Sequence, residues 1–222
     1  MQLGLAFFHG WGLDAHFWQP LAPRLSQYPH TFFDAGYFGS PQTPDFSAAQ
    51  RWVAIGHSLG FVRALQCPPP QGWAGLVSVA GFTRFCAAPA GAGARPGQPR
   101  RVVERMVQAF ARAPQAVLAE FLARCQLTHC MPGAALPWQA SLAADLAALL
   151  DIDASAALAA TKVPLLALAA RDDAIVTRAL TEATFGARPA TQLVWHPSGG
   201  HALGHAGAGA CAPAIAAFAA SL

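Results

Sequence analysis

A hydroxyl, a carboxylate and an imidazole can together move one proton onto and off a reacting group, and this chain offers the three in the order Ser58, Asp173, His201. The hydroxyl sits in Gly56-His57-Ser58-Leu59-Gly60, a G-x-S-x-G run. The apolar residues Trp52 to Ile55 precede it, and a helical pattern follows from Leu59 until just before Cys67-Pro68-Pro69-Pro70. Strand, tight turn and helix in that order lift a serine clear of its own backbone. The glycines allow neighbouring chain to approach, and the helix N-terminus favours negative charge developing beside it. The bland alternative is an N-capping serine in an ordinary βα turn, and the Asp and His downstream argue against it.

The elements that must position the other two groups are strands. Val163 to Ala169 runs into Arg171-Asp172-Asp173-Ala174-Ile175-Val176, and Thr191 to Trp195 runs into Ser198-Gly199-Gly200-His201. Both groups then fall beyond the carboxyl ends of strands, where open α/β sheets place their chemistry. The spacing to Val176 favours Asp173 as the acid, with Asp172 as the alternative and otherwise a turn residue. Gly199-Gly200 gives His201 a mobile loop, and His205 is the competing imidazole. Further strands are expected over Gln2 to Phe8, Thr31 to Asp34 and Gly75 to Ala80, with Asp34 capping nearby amides in a turn. The Pro-rich stretch Ser40 to Gln50 leaves room for one or two helical turns before the nucleophile strand.

With Phe8-His9-Gly10-Trp11-Gly12-Leu13-Asp14 added, the chain resembles the α/β-hydrolase superfamily over nearly its whole length. That resemblance implies a mostly parallel sheet with helices on both faces, a shortened N-terminus without the usual first hairpin, and a helical cap inserted after the fourth visible strand. It also implies roles: Ser58 as nucleophile, His201 as general base and acid, Asp173 as the group orienting His201. Backbone N–H groups of Trp11 and Leu59 would form the oxyanion hole, with the Trp11 indole on the pocket wall. Phe61 departs from the pattern, standing where a glycine often follows G-x-S-x-G.

Within the superfamily the chain is similar to the pimeloyl-[acyl-carrier protein] methyl ester esterases of biotin synthesis. The residues are His9 to Leu13 with Trp18, Glu120-Phe121-Leu122-Ala123, Leu136-Pro137 leading into Leu142 to Leu150, and Lys162-Val163-Pro164. The implied reaction is hydrolysis of a methyl ester on an acyl chain held by an acyl-carrier protein, without a cofactor or a metal. The rival is a short-chain carboxylesterase or thioesterase that needs no carrier; a non-catalytic ligand-binding protein of the same fold is a third reading.

The boundaries expected are 1–83 and 161–222 for the catalytic core and 84–160 for the cap, the lid that shapes an acyl pocket. Phe121, Leu122 and Cys125 are the cap residues expected to meet substrate. Half of the chain's 14 basic residues fall between Arg84 and Arg124, opposed only by Glu104 and Glu120. A helix expected over Arg100 to Arg112, with Pro99 before it and Pro114 after, sorts them: Arg101, Arg105 and Arg112 lie within about 40° of one another at 100° per residue. Val102, Val103, Met106, Val107 and Phe110 take the opposite face. Such a stripe is either a solvated face or, with Arg124, a docking surface for an acidic carrier protein. Nucleic acid is not expected, since no binding motif or interleaved aromatics accompany the arginines.

At 222 residues and 54% hydrophobic content the chain can bury one substantial core. No signal-peptide pattern opens it and no apolar run approaches the ~20 residues of a membrane span, so a soluble, cytoplasmic protein is expected; a monomer is the separate expectation. Five scattered cysteines, Cys67, Cys86, Cys125, Cys130 and Cys211, lack CxxC spacing and read as reduced thiols. His196, His201 and His205 lack the glutamate of an HExxH metal site.

Overall fold

The computed structural model describes residues 2–88, 95–127, 139–186, 188 and 191–222. Strands β1 (Leu3–Phe8), β2 (His30–Phe33), β3 (Arg51–His57), β4 (Gly75–Val79), β5 (Leu165–Ala170) and β6 (Thr191–His196) form one sheet in the order β2-β1-β3-β4-β5-β6. Every neighbouring pair is parallel. The helices are α1 (Leu59–Gln66), α2 (Arg100–Arg112), α3 (Pro114–Arg124), α4 (Gln139–Ala148), α5 (Ser155–Ala160), α6 (Arg178–Phe185), α7 (Leu203–Ala206) and α8 (Ala208–Ala220).

The strands are near-continuous apolar runs because both faces of the sheet are covered. Successive side chains point to opposite faces, so each strand feeds two cores. Leu5, Phe7, Val53, Ile55, Val77 and Val79 pack with Ile215 and Phe218 of α8 on one side. Ala6, Phe8, Ala54, Leu76, Leu165 and Ala167 pack with Phe61 of α1, Leu158 of α5 and Phe185 of α6 on the other. The chain leaves β1 in one direction to make β2 and returns to the other side of β1 as β3. That reversal opens a crevice beyond the carboxyl ends of β1 and β3, the switch point where open α/β sheets bind ligands.

Residues 40–50 form no helix, contrary to the room the sequence leaves for one. Pro41 and Pro44 each remove a donor and fix φ, and the segment is instead pinned as extended chain: Asp34 bridges Gln42, and the Thr31 hydroxyl takes the Asp45 N–H at 2.8 Å. Asp34 does cap, accepting the N–H groups of Gly36 (2.8 Å) and Ala15 (3.0 Å).

Between β4 and β5 the α2, α3 and α4 helices cross the strand ends. The last helix before β5, α5, packs Leu158 against the face of the sheet that holds α1. Two joints tie α4 to the core. The Trp11 indole donates to the Leu142 carbonyl at 2.8 Å, and Asp145 accepts from Tyr37 (2.6 Å) and from Arg63 of α1. Cys130 and Leu136-Pro137 lie outside the described residues. Among the described residues no helix is long and apolar enough to cross a membrane.

Candidate active site

Ser58 joins β3 to α1 with φ 54° and ψ −125°, a region that costs a side-chain-bearing residue about 1–3 kcal/mol. The flanking glycines are sterically required. A Cβ on Gly56 would lie 2.4 Å from the Phe61 Cα, and one on Gly60 would lie 2.1 Å from the Phe8 carbonyl oxygen. The bulk of Phe61 is absorbed elsewhere: its ring packs edge-on to Phe185, and Gly81 leaves it space, since a Cβ there would come within 2.8 Å of the Phe61 Cβ.

His201 follows β6 and reaches the hydroxyl, with Nε2 3.0 Å from Ser58 Oγ. Its Nδ1 is 3.0 Å from Asp173 Oδ2, and both of these side chains are only 1% exposed. A proton on Nδ1 donated to the carboxylate leaves the Nε2 lone pair to accept the serine proton. The other Asp173 oxygen accepts the N–H groups of Ile175 (2.7 Å) and Val176 (2.9 Å), which anchors the acid in the turn after β5. Asp172 faces the histidine loop instead, accepting from Gly200 (2.9 Å) and Gly199 (3.3 Å). The two adjacent carboxylates thus divide the work, one holding the imidazole and one its loop. His205 hydrogen-bonds the Phe17 carbonyl at 3.0 Å.

The segment after β1 folds over the elbow. A Cβ on Gly10 would be 3.0 Å from the Ser58 Cβ, so only glycine lets the loop come this close. The Ala35 N–H donates to His9 Nε2 at 3.0 Å, leaving Nδ1–H to donate to the Gly10 carbonyl at 2.8 Å. In a trans peptide the carbonyl and the following N–H point in opposite directions, so His9 sets the direction of the Trp11 N–H. Leu59 is the first residue of α1, and its N–H is one of those without an intrahelical acceptor. Sequence reasoning had given His9 no role; its place beside Gly10 was the available signal.

Above Ser58 lies a largely apolar cleft whose wall includes Trp11, Phe82, Val103, Met106 and Phe121. Trp11 meets Phe121 edge-on, with ring centroids 4.9 Å apart. Of the three cap residues expected on this wall only Phe121 is there. Leu122 and Cys125 are buried in the core beneath α3, and burial pushes the Cys125 thiol up to about 12. Val102 is 41% exposed and lines the cleft mouth rather than the core.

The arginines separate. Arg84 pairs with Asp153, and Arg100 with Glu104 and Asp151. Arg101, Arg105 and Arg112 are exposed on α2, and no carboxylate among the described residues pairs with them. Arg124 lies apart from that stripe, on the rim of the cleft, where with Gln98 it is one of few polar groups.

Comparison with known proteins yields no matching family model. Over 224 aligned residues the chain is 30% identical to the biotin biosynthesis bifunctional protein BioHC of Cellvibrio japonicus, covering 90% of this chain and 44% of that protein. The chain therefore spans less than half the length of that curated relative. Among solved structures it is similar to an esterase from Exiguobacterium antarcticum (TM-score 0.80, 15% identity, 99% of this chain and 92% of that one). A bromoperoxidase from Bacillus anthracis superposes at TM-score 0.76 with 17% identity, covering 98% of this chain and 92% of that one.

Proposed function

The chain is an α/β-hydrolase by fold, and on that premise we propose that it is a serine carboxylesterase acting on the methyl ester of an acyl chain held by an acyl-carrier protein. The observation that carries the hydrolase reading is the buried line Ser58–His201–Asp173, two contacts of 3.0 Å each beneath an apolar cleft. The likeness to a biotin-synthesis protein supports the ester and its carrier.

In this reading Ser58 Oγ attacks the ester carbonyl while its proton passes to His201 Nε2. Asp173, already bonded at Nδ1, stabilises the imidazolium. The N–H groups of Trp11 and Leu59 receive the oxyanion; a donor of this kind is worth about 3–4 kcal/mol when removed. Collapse of the tetrahedral intermediate breaks the ester C–O bond, and His201 returns the proton to the departing methoxide as methanol. Water then attacks the acyl-enzyme with His201 as base, releasing the carboxylic acid and restoring Ser58.

The cleft wall of Trp11, Phe82, Met106 and Phe121 suits an acyl chain, and the exposed Arg101, Arg105 and Arg112 suit an acidic carrier approaching across α2. Among the described residues, Cys67, Cys86, Cys125 and Cys211 are free thiols, which fits a reducing cytoplasmic setting.

The test compares hydrolysis of pimeloyl methyl ester on its carrier protein with that of a small free methyl ester, in wild type and Ser58→Ala. A Ser58-dependent preference for the carried ester that weakens with salt is expected. Equal turnover of the free ester would leave a general esterase, and hydrolysis retained in Ser58→Ala would remove the nucleophile assignment.

A further inference from the structure

We infer that His57 is a positioning residue for the base, closing a ring of restraint between the elbow and the histidine loop; this rests on the hydrolase reading. His57 precedes Ser58, is 1% exposed, and its Nε2 lies 2.8 Å from the backbone carbonyl of His201. A carbonyl only accepts, so Nε2 carries the proton and donates. The ring then closes: Ser58 is bonded to His57, His57 holds the His201 main chain, and the His201 side chain returns to Ser58 Oγ at 3.0 Å. Ring contacts fix the angle, since His57 stacks on Phe17 with centroids 4.3 Å apart and lies 4.8 Å from the His201 ring.

The loop needs such a brace. Gly199 (φ 125°) and Gly200 (φ 53°) precede His201, and both conformations are ones that glycine enters and leaves freely. Asp172 ties the two glycine N–H groups on the near side of His201. His57 ties the carbonyl on the far side, so the imidazole is held between two independent anchors.

The remaining ring atom argues against a role in folding alone. Among the described residues His57 Nδ1 is buried without a partner, and a Cβ on Gly10 would come within 2.9 Å of it. An apolar ring of similar size would relieve that orphaned acceptor while losing one hydrogen bond, a near-neutral exchange for stability. What the imidazole supplies and a phenyl ring cannot is the donor to His201. Burial holds His57 well below the ordinary histidine range, aided by the neighbouring His201 and His9, so the ring stays neutral beside a base that becomes positive during turnover.

The experiment compares wild type, His57→Phe, His57→Leu and His57→Gln for ester hydrolysis, with rates normalised to active sites titrated by a fluorophosphonate. His57→Phe and His57→Leu are expected to lose about 10–100-fold in kcat with KM within about twofold, the scale of a displaced catalytic group. His57→Gln, whose amide N–H can reach the same carbonyl, is expected to recover most of that loss. Equal kcat per titrated site in the Gln and apolar variants, or activity that merely follows the folded fraction, overturns the inference. Failure of the wild type to react with the fluorophosphonate overturns the hydrolase reading itself, and this inference with it.

Discussion

The strand-end crevice and the cap over it meet in one cleft, yet they are built on opposite principles. At the crevice most of the polar groups are buried and bonded: Asp173 accepts three bonds and His9 engages both ring nitrogens, while the exposed Asp172 accepts two and His57 Nδ1 has no partner among the described residues. On the cap the charges face solvent on α2, and its attachment to the core includes the Trp11–Leu142 bond, the Arg63–Tyr37–Asp145 cluster, the Gln98–Ile175 bond and apolar packing. Buried, fully bonded groups are costly to displace, whereas exposed charges are cheap to exchange. The difference makes the strand-end crevice the rigid part of the cleft and α2 its replaceable surface.

The sharpest way to break this comparison is to exchange the two adjacent carboxylates. Asp173→Asn is expected to lower kcat about 10⁴-fold, the scale seen when a triad acid loses its charge. Asp172→Asn, which touches only the loop N–H groups, is expected to cost about tenfold or less; similar losses in both would erase the division of labour. Measurement is by kcat on a chromogenic ester.

Next in size is the cap's joint. Asp145→Ala leaves the Arg63 guanidinium, 13% exposed, without its carboxylate, so unfolding in urea should show about 2–3 kcal/mol lost. An unchanged midpoint would mean that the joint contributes nothing net.

Neutralising Arg101, Arg105 and Arg112 together is expected to lower kcat/KM about tenfold on a carrier-bound ester at low salt, and to leave a free ester and the melting temperature unchanged. A matching loss on both substrates would return the stripe to an ordinary solvated face.

The smallest effect is on acid stability. His57 has a folded pKa depressed well below 6.5 by burial, and His30 is lowered in the same direction for the same reason. The unfolded chain therefore binds more protons below about pH 6.5, so stability from these groups is complete above that value and is lost as pH falls. The wild-type melting temperature should drop between pH 7 and pH 5, and less so in His57→Phe.

Most of the crevice was legible in the chain itself. Apolar runs ending in Gly56-His57-Ser58, Arg171-Asp172-Asp173 and Gly199-Gly200-His201 placed three polar groups just past three strands, and in a parallel sheet all strand ends lie on one side. The cap was less legible. Phe121 and Leu122 are adjacent and equally apolar, but the rotation of about 100° between successive helical residues sends the first to the cleft and the second to the core. Val102 likewise shows that an apolar face of α2 is divided between core and cleft mouth by what packs on it.

By itself the sequence determined the mostly parallel sheet, the elbow and the order in which Ser58, Asp173 and His201 follow their strands. Local sterics and strand periodicity act over a few residues and leave direct marks in residue type. Only the tertiary structure decided which aspartate meets His201, that His57 bonds the His201 main chain, and that Arg63 and Trp11 fasten the cap. Those contacts join residues up to 144 positions apart, and no local rule specifies a partner at that distance.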